Sequence, residues 1–543
     1  MPDSSYHAKY VFIVGGVMSG IGKGIVTVSV GRNLIERGYK IDVCKIDPYL
    51  NIDAGTMNPF EHGEVFVTED GGELDVDFGH YQRFLQIDVK KNQNITTGQV
   101  YYEVITKERN GEYLGKTVQV VPHITDEIKR RIKEIDSQSK ADVLLIEIGG
   151  TVGDIESQPF LEAIRQIMRE REPSDTCLIM ATYVPYPPHV NEPKTKPTQH
   201  AVRDLKSAGL NPSIIVTRSP KDIGKSALDK VAVYSGLSTD AVFSLPDLEE
   251  VLESPIVLDK QGFGKKVLFV LNLEPKKEAT WDSLNKILEL IKTQENEVNI
   301  GLTGKYTKLK DAYISVFEAL KHAGIHLKTK VNVHYIDVEE FEKDSSKLSI
   351  LEKYDGVILP GGFGKRGIEG KIKVIQYCRE NNIPFLGICL GFQLASIEFA
   401  RNVCGLKDAH STEMDPNTRY PIVDLQPDQK NIHRLGGTMR LGAHEIEVFP
   451  NTMLWELYGQ KEKIIERHRH RYELNPMYAP LLQDNGLVLS AKSKFYEALE
   501  LPDHPFFLAV QFHPEFKSTP WNPSPPYYGL IDAALKKKKV KSN

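Results

Sequence analysis

Short, nearly continuous apolar runs recur along the first half of this chain. Val11-Phe12-Ile13-Val14, Ile41-Asp42-Val43-Cys44, Val143-Leu144-Leu145-Ile146 and Ile214-Ile215-Val216 have the character of strands buried on both faces. They alternate with stretches of helical periodicity from Tyr10 to about Leu271, which predicts an α/β fold with a parallel sheet flanked by helices. A polar segment, residues 274–278, leads into a predicted helix over 279–292. The pattern then restarts at Val298-Asn299-Ile300-Gly301-Leu302 and continues through Val331-Asn332-Val333, Gly356-Val357-Ile358-Leu359 and Ile383-Pro384-Phe385-Leu386 to about Ala534. The expected organisation is two domains, each a mostly parallel sheet flanked by helices. They occupy residues 1–274 and 298–535, with a helical linker over 275–297 and a basic, disordered tail over 536–543. The halves share an architecture but no repeat period.

Composition narrows the class. A chain of 543 residues exceeds one ordinary core. With 41% hydrophobic and 26% charged residues it reads as soluble and globular. No run approaches the roughly eighteen apolar residues of a membrane helix, and Met1-Pro2-Asp3-Ser4-Ser5 does not open a signal peptide. The expectation is a cytoplasmic protein without a membrane partner. Cysteines 44, 177, 378, 389 and 404 lack the pairing of a disulfide framework or zinc site, and a net charge of −5 leaves no nucleic-acid footprint.

Chemistry enters first at Gly15-Gly16-Val17-Met18-Ser19-Gly20-Ile21-Gly22-Lys23-Gly24, between the first strand and a helix beginning near Ile25. Successive backbone N–H groups and the helix dipole at such a turn can cradle phosphate, with Lys23 as a point charge. A tight strand-to-helix connection is the plainer alternative. Gly24 stands where a Walker A motif carries Ser or Thr, so a magnesium ligand must come from elsewhere. Asp75 or Asp77 and Glu147 are the candidates, Glu147 because it ends a buried strand at the site-bearing edge of a parallel sheet. Gly150-Thr151-Val152-Gly153-Asp154-Ile155-Glu156-Ser157 mixes flexible glycines with acids suited to hydroxyl recognition. Lys194-Thr195-Lys196-Pro197-Thr198-Gln199-His200 suits a triphosphate and a base edge, or equally a solvated loop.

The second half carries a different chemistry. In Gly387-Ile388-Cys389-Leu390-Gly391 a cysteine stands where a buried strand turns into a helix predicted over 392–403, the position of a nucleophile. The flanking glycines are expected to let the backbone bend, and the helix N-terminus favours a thiolate. Val510-Gln511-Phe512-His513-Pro514-Glu515 supplies a base and its orienter. If the strand continues through it, His513 and Glu515, two apart, point the same way. Pro360-Gly361-Gly362-Phe363-Gly364 leaves a strand as a glycine loop whose N–H groups, with that of Leu390, can form an oxyanion hole. Attack on a carboxamide, release of ammonia and hydrolysis of a thioester is the reaction these groups predict.

From Tyr10 to about Glu515 the chain resembles the CTP synthase family, its first half a dethiobiotin-synthetase-type P-loop domain and its second a class I glutamine amidotransferase domain. The specific motifs are Lys45-Ile46-Asp47-Pro48-Tyr49-Leu50-Asn51, His62-Gly63-Glu64-Val65-Phe66-Val67, residues 150–157, residues 194–199 and Glu466-Arg467-His468-Arg469-His470-Arg471-Tyr472. The resemblance implies ATP-dependent conversion of UTP to CTP with glutamine nitrogen. It assigns ATP to Gly20, Ile21, Gly22, Lys23, Gly24, Ile25 and Asp77, and Mg2+ to Asp77 and Glu147. UTP, or inhibitory CTP, falls to Ser19, Asp154, Ile155, Glu156, Lys194, Thr195, Lys196, Pro197, Thr198, Gln199 and Lys230. Glutamine falls to Gly362, Leu390, Gly391, Phe392, Gln393, Glu413 and Arg471, and an ammonia passage to Pro59, His62 and Val65. It further implies a homotetramer activated by GTP, inhibited by CTP and able to form filaments. Pro246, where many members carry lysine near adenine, and Gly20, where serine is common, depart from the family pattern. A cobyrinate-type amidotransferase and a non-catalytic filament scaffold are the rival readings.

Overall fold

A computed structural model describes residues 7–58, 62–304, 310–362, 364–425 and 439–542. The chain divides into two compact units, one of Met1–Asp53 with His80–Asn285, the other of Ala54–Gly79 with Lys286–Asn543.

The first unit is built on a seven-stranded, wholly parallel sheet. In spatial order its strands are Asn94–Thr96, Ile41–Asp47, Val143–Ile148, Lys9–Gly15, Thr176–Tyr183, Ile214–Ser219 and Val242–Pro246. Tyr10, Phe12 and Val14 of the central strand share one core with Ile128 and Ile132 of the helix Thr125–Ser139 and with Phe160 and Ile164 of the helix Gln158–Glu170. Val11 and Ile13, on the other face, are equally inaccessible. The uninterrupted apolar runs are therefore strands covered on both sides. Because all seven strands run the same way, Gly15, Ile148 and Pro246 end at one edge, from which the glycine-rich and binding loops depart.

The second unit has a nine-stranded sheet of mixed direction. Thr329–Ile336, Asn296–Thr303, Gly356–Leu359, Phe385–Ile388 and Phe507–Val510 are parallel neighbours. Tyr496–Glu500, Val488–Lys492, Arg440–Val448 and Lys463–His470 then extend the sheet antiparallel. Alternation assigns the strand residues to two cores. Phe385, Phe507 and Ala509 pack with the helices Ile368–Glu380 and Leu390–Asn402, whereas Leu386, Ile388, Leu508 and Val510 pack with Ile314–His326 and Pro525–Ser542. The antiparallel extension is absent from the apolar pattern, since strands such as Lys-Ile-Ile-Glu-Arg-His-Arg-His are too polar to read as buried.

Residues 54–79, placed by chain order in the first domain, cluster with the second unit. The strand Lys463–His470 holds them. Arg467, with no exposed side-chain surface, donates through Nε to Glu69 at 2.8 Å and through a terminal nitrogen to the Val67 carbonyl at 2.8 Å. Arg469 pairs with Glu73 at 2.8 Å and reaches the Gly55 carbonyl at 3.1 Å. Gly442 makes the close approach possible, because a Cβ there would stand 2.6 Å from the Gly71 nitrogen. The expected linker has no body of its own: its helix, Asp282–Lys292, contains the boundary between the units and buries Leu284, Ile287 and Leu288.

The expected disordered tail is corrected. Residues 536–542 are the last turns of the helix Pro525–Ser542, and Lys537 and Lys538 donate to the Tyr354 and Glu297 carbonyls at 3.1 and 2.6 Å. The apolar face begun by Tyr527, Leu530, Ile531 and Ala534 carries the helix through the lysines. Among the described residues no helix is long and apolar enough to cross a membrane.

Arg467→Ala should remove the guanidinium from Glu69 and the Val67 carbonyl, leaving Glu69, among the described residues, only Lys517 at 3.7 Å. We expect a loss on the order of 3 kcal/mol in unfolding free energy and faster amide exchange over residues 66–74, checked by denaturant titration and hydrogen-exchange mass spectrometry. Unchanged exchange there would show that the guanidinium is not the clamp.

Candidate active sites

In the first unit the glycine-rich turn opens the helix Lys23–Glu36 two residues earlier than the periodicity predicts, with Gly22 at φ 86°. Lys23 Nζ donates to the Gly150 carbonyl at 2.8 Å, and Val152 N–H to the Gly15 carbonyl at 2.9 Å. Two of the sequence-predicted loops therefore meet. Ser19 and Gly20 are exposed on the turn, Ile21 is buried, and Gly24 and Ile25 are half-buried in the first helical turn. Glu147 is almost fully buried, and its Oε2 accepts from the hydroxyls of Thr27 and Tyr81, each at 2.6 Å. Asp77 opens the helix Asp77–Leu85 and groups with the second unit, Glu147 with the first. Among the described residues no group of three or more His, Cys, Asp or Glu is arranged to hold a metal. Asp77 and Glu147 are each by themselves a carboxylate, the donor type that magnesium takes when phosphates and waters complete its shell.

The remaining nucleotide candidates, Lys230 apart, lie at or just before helix starts. Asp154 closes its own loop, accepting from Thr151 N–H and Oγ1, both at 2.7 Å, and Ile155 and Glu156 are exposed in the following turn. Thr195 caps the helix Lys196–Ser207, with Pro197 in its first turn and Gln199 donating to the Thr195 hydroxyl at 3.1 Å. Thr198 is buried against Thr182, so it supports the loop from within. Lys194 pairs with Glu192, Lys196 is exposed at the helix start, and Lys230 is exposed on the helix Gly224–Ser235. Arg218 escaped the sequence reading. Its guanidinium donates to the Ile21, Leu245 and Pro246 carbonyls at 3.3, 2.7 and 2.9 Å and pairs with Asp247 at 2.9 Å. It thus ties the glycine-rich turn to the strand end at Pro246, and an arginine ending the strand run Ile-Ile-Val-Thr-Arg-Ser was the available signal.

The second unit brings together the residues expected to act in amide hydrolysis. Cys389 itself takes the left-handed φ of 53°, with ψ −96°, and caps the helix Leu390–Asn402. The expectation that the flanking glycines provide the bend is corrected: they provide close approach. A Cβ on Gly391 would come within 2.5 Å of the Leu359 carbonyl, and one on Gly387 within 2.9 Å of Ala509. Cys389 N–H donates to the Val510 carbonyl at 2.7 Å, fixing the elbow against the strand that leads to His513.

His513 and Glu515 meet, though not across a pleat. The strand ends at Val510, and Pro514–Lys517 is a 3-10 turn that brings Glu515 Oε1 to 2.7 Å from His513 Nδ1. The imidazole stacks on Phe516, with centroids 5.3 Å apart. Burial works against its charge, but Glu515 and Cys389 outweigh burial and raise its pKa to about 10. Cys389, His513, Glu515, Gly361, Gly362, Arg469, Glu64 and Val65 line one cavity of about 100 Å³. Glu64 is fixed beside it by Ser315, whose N–H donates at 3.2 Å and whose hydroxyl also donates to the same carboxylate. Phe363 of the glycine loop lies outside the described residues.

Other predicted positions divide. Leu390, Gly391, Phe392 and Gln393 form the buried first turn after Cys389, and Glu413 accepts from Gly364 N–H at 3.3 Å, its pKa raised by burial. Arg471 lies half-buried, one residue beyond the strand Lys463–His470. Val65 reaches the cavity; His62 is exposed and does not line it, and Pro59 lies outside the described residues. Arg467, Arg469 and Gln511 stood within quoted motifs, but sequence reasoning gave them no role here. Gln511 Nε2 donates to Cys389 Sγ at 3.6 Å, and its Oε1 accepts from Gln393 Nε2 at 3.3 Å. A polar residue inside an otherwise apolar strand end was the signal for it.

Residues 9–273 match the family model described as CTP synthase N-terminus, and residues 308–533 the model described as glutamine amidotransferase class-I. A CTP synthase of Methanopyrus kandleri is 52% identical over 97% of this chain and 99% of its own length. One from Thermus thermophilus is 51% identical, covering 97% of each chain. The chain belongs to the CTP synthase family. A solved glutaminase domain of Trypanosoma brucei CTPS with bound acivicin shares 39% identity over 44% of this chain and 94% of its own, with a TM-score of 0.42. Full-length membership in the CTP synthase family sets the cobyrinate-type reading aside.

An unfolded imidazole titrates near 6.5, so the His513 contribution to stability is complete below that value and disappears as pH rises through about 10. The Tm difference between wild type and Glu515→Gln should therefore be largest near pH 6 and shrink toward pH 10. A difference constant across that range would show that His513 is not the titrating group.

Proposed function

We infer that this protein is a glutamine-dependent ligase that aminates UTP to CTP at the expense of ATP. The observation that carries the reading is the joining, in a chain of this family, of a phosphate-type turn with Lys23 to a unit in which Cys389, His513 and Glu515 share one cavity.

In the second unit the Cys389 thiolate attacks the carboxamide carbon of glutamine. The N–H groups of Gly362 and Leu390 take the charge that develops on oxygen. The C–N bond breaks, ammonia leaves with a proton from the His513 imidazolium, and a thioester remains. His513 then takes a proton from water, whose oxygen attacks the thioester, so that glutamate is released and the thiolate restored. Glu515 keeps His513 in the tautomer this requires. The family resemblance supports Glu413, Gln393 and Arg471 as contacts to glutamine.

In the first unit the γ-phosphoryl group of ATP passes to O4 of the uracil ring. Ammonia adds at C4, and phosphate departs with the former O4. Lys23 and the turn from Gly20 to Ile25 hold the ATP phosphates. Ser19, residues 154–156, residues 194–199 and Lys230 hold UTP, or CTP as an inhibitor. Magnesium would offset phosphate charge when bound, and Asp77 and Glu147 are the carboxylates that would hold it. The family resemblance supports GTP as activator, a cytoplasmic homotetramer and filament assembly. It also supports ammonia delivery past Pro59, His62 and Val65.

Cys389→Ala should abolish synthesis from glutamine and keep synthesis from ammonium, followed by the ultraviolet absorbance change from UTP to CTP. Lys23→Ala should stop both. Loss of both activities in a folded Cys389→Ala protein would refute this division, and ammonium-dependent turnover by Lys23→Ala would place the phosphate cradle elsewhere.

A further inference from the structure

The side chain of Gln511 has no exposed surface, and both ends of its amide are committed. Nε2 donates to Cys389 Sγ at 3.6 Å, while Oε1 accepts from Gln393 Nε2 at 3.3 Å. Gln393, itself 4% exposed, also donates to the Tyr472 carbonyl at 3.0 Å. That second bond fixes which end of Gln393 is the amide nitrogen, and hence that Gln511 presents its oxygen to Gln393 and its nitrogen to sulfur. The relay begins at the backbone of the strand Tyr472–Leu474, passes through the first turn of the helix after Cys389, and ends on the reacting atom.

We propose that Gln511 is a catalytic residue of the glutaminase site, an amide donor that holds and stabilises the Cys389 thiolate, with Gln393 as the positioning residue that aims it. The proposal rests on Cys389 being the nucleophile. The other groups around the sulfur do not duplicate the role. The Arg469 carbonyl, 3.9 Å from it, can only accept, so it favours the thiol. Glu64 and Glu515, which line the same cavity, repel negative charge there. His513 and Arg469 line it as well and carry the positive charge; His513 is committed to proton transfer, and the Arg469 guanidinium to Glu73 and the Gly55 carbonyl. A neutral amide held rigidly from behind adds a donor that does not titrate and need not leave during turnover. Gln393 then has a use besides the glutamine contact that the resemblance gives it.

The test is the rate at which iodoacetamide alkylates Cys389 in the full chain at neutral pH, read by peptide mass spectrometry beside steady-state glutaminase kinetics. One hydrogen bond to a charged group corresponds to roughly a tenfold effect on rate. Gln511→Met keeps the length and loses the donor, and should slow alkylation and kcat/KM for glutamine by roughly that factor. Gln511→Glu places a carboxylate on sulfur and should slow both further. Gln393→Met should move both the same way by less, which keeps the test decisive if a Gln511 variant fails to fold. Wild-type alkylation rates in folded Gln511→Met and Gln393→Met would overturn the proposal, because a space-filling role predicts that outcome. Glutamine hydrolysis by Cys389→Ala would instead overturn the nucleophile assignment, and is read independently of the alkylation series.

Discussion

The second unit is organised around a backbone that no ordinary residue prefers: Cys389 at φ 53°. A left-handed non-glycine residue outside the favoured wells costs about 1–3 kcal/mol and persists only where its surroundings over-determine it. Here they do. Gly387 and Gly391 let the elbow press against Ala509 and the Leu359 carbonyl, and the bond from Cys389 N–H to Val510 pins it to the neighbouring strand. The helix Leu390–Asn402 then buries Leu390, Phe392 and Leu394 in the core behind. The packing that strains the cysteine also aims it at the strand from which Gln511 and His513 come.

Around that elbow the strand Lys463–His470 acts as a two-sided plate. Arg467 and Arg469 reach toward residues 54–79, and His468 and His470, fully buried, lie on the alternate face. His470 donates from Nδ1 to the Tyr472 carbonyl at 3.2 Å and lies 3.0 Å from His468 through Nε2. Burial, reinforced by Arg440, drives the pKa of both rings well below the usual histidine value, so they serve as neutral links. Arg440 in turn pairs with the buried Glu473 and Glu497 at 3.0 and 2.8 Å. A motif that is charged in sequence is therefore mostly interior in the fold, with Arg467 and Arg469 each paired to a carboxylate, which is the condition under which buried charges are tolerated.

The first unit builds its glycine-rich turn differently. Glycine takes the positive-φ positions Gly20 and Gly22, and no Cβ on Gly20 would meet a neighbour, but Val17 of the same turn also stands at φ 84°. Lys23 rests on the Gly150 carbonyl, so the loop after the strand bearing Glu147 and the glycine-rich turn are one hydrogen-bonded assembly. Arg218 braces the same turn from beneath.

Much of this was legible from residue order. Apolar runs marked four of the seven strands of the parallel sheet, those containing Val11, Val43, Leu145 and Ile215, because a strand buried on both faces must be apolar throughout. Glycine spacing marked both turns, and the residues of the Cys389, His513 and Glu515 cavity were visible as motifs because each chemistry requires particular side chains at turns and strand ends. What sequence could not decide was which distant groups meet. The assignment of residues 54–79, the 3-10 geometry that joins His513 to Glu515, the helical end of the chain, and the Tyr472–Gln393–Gln511–Cys389 relay all depend on contacts between segments far apart in sequence. Local propensity and periodicity register what a residue's own neighbours require. A buried amide or guanidinium is satisfied by whatever the folded chain brings to it, and only the tertiary structure settles that.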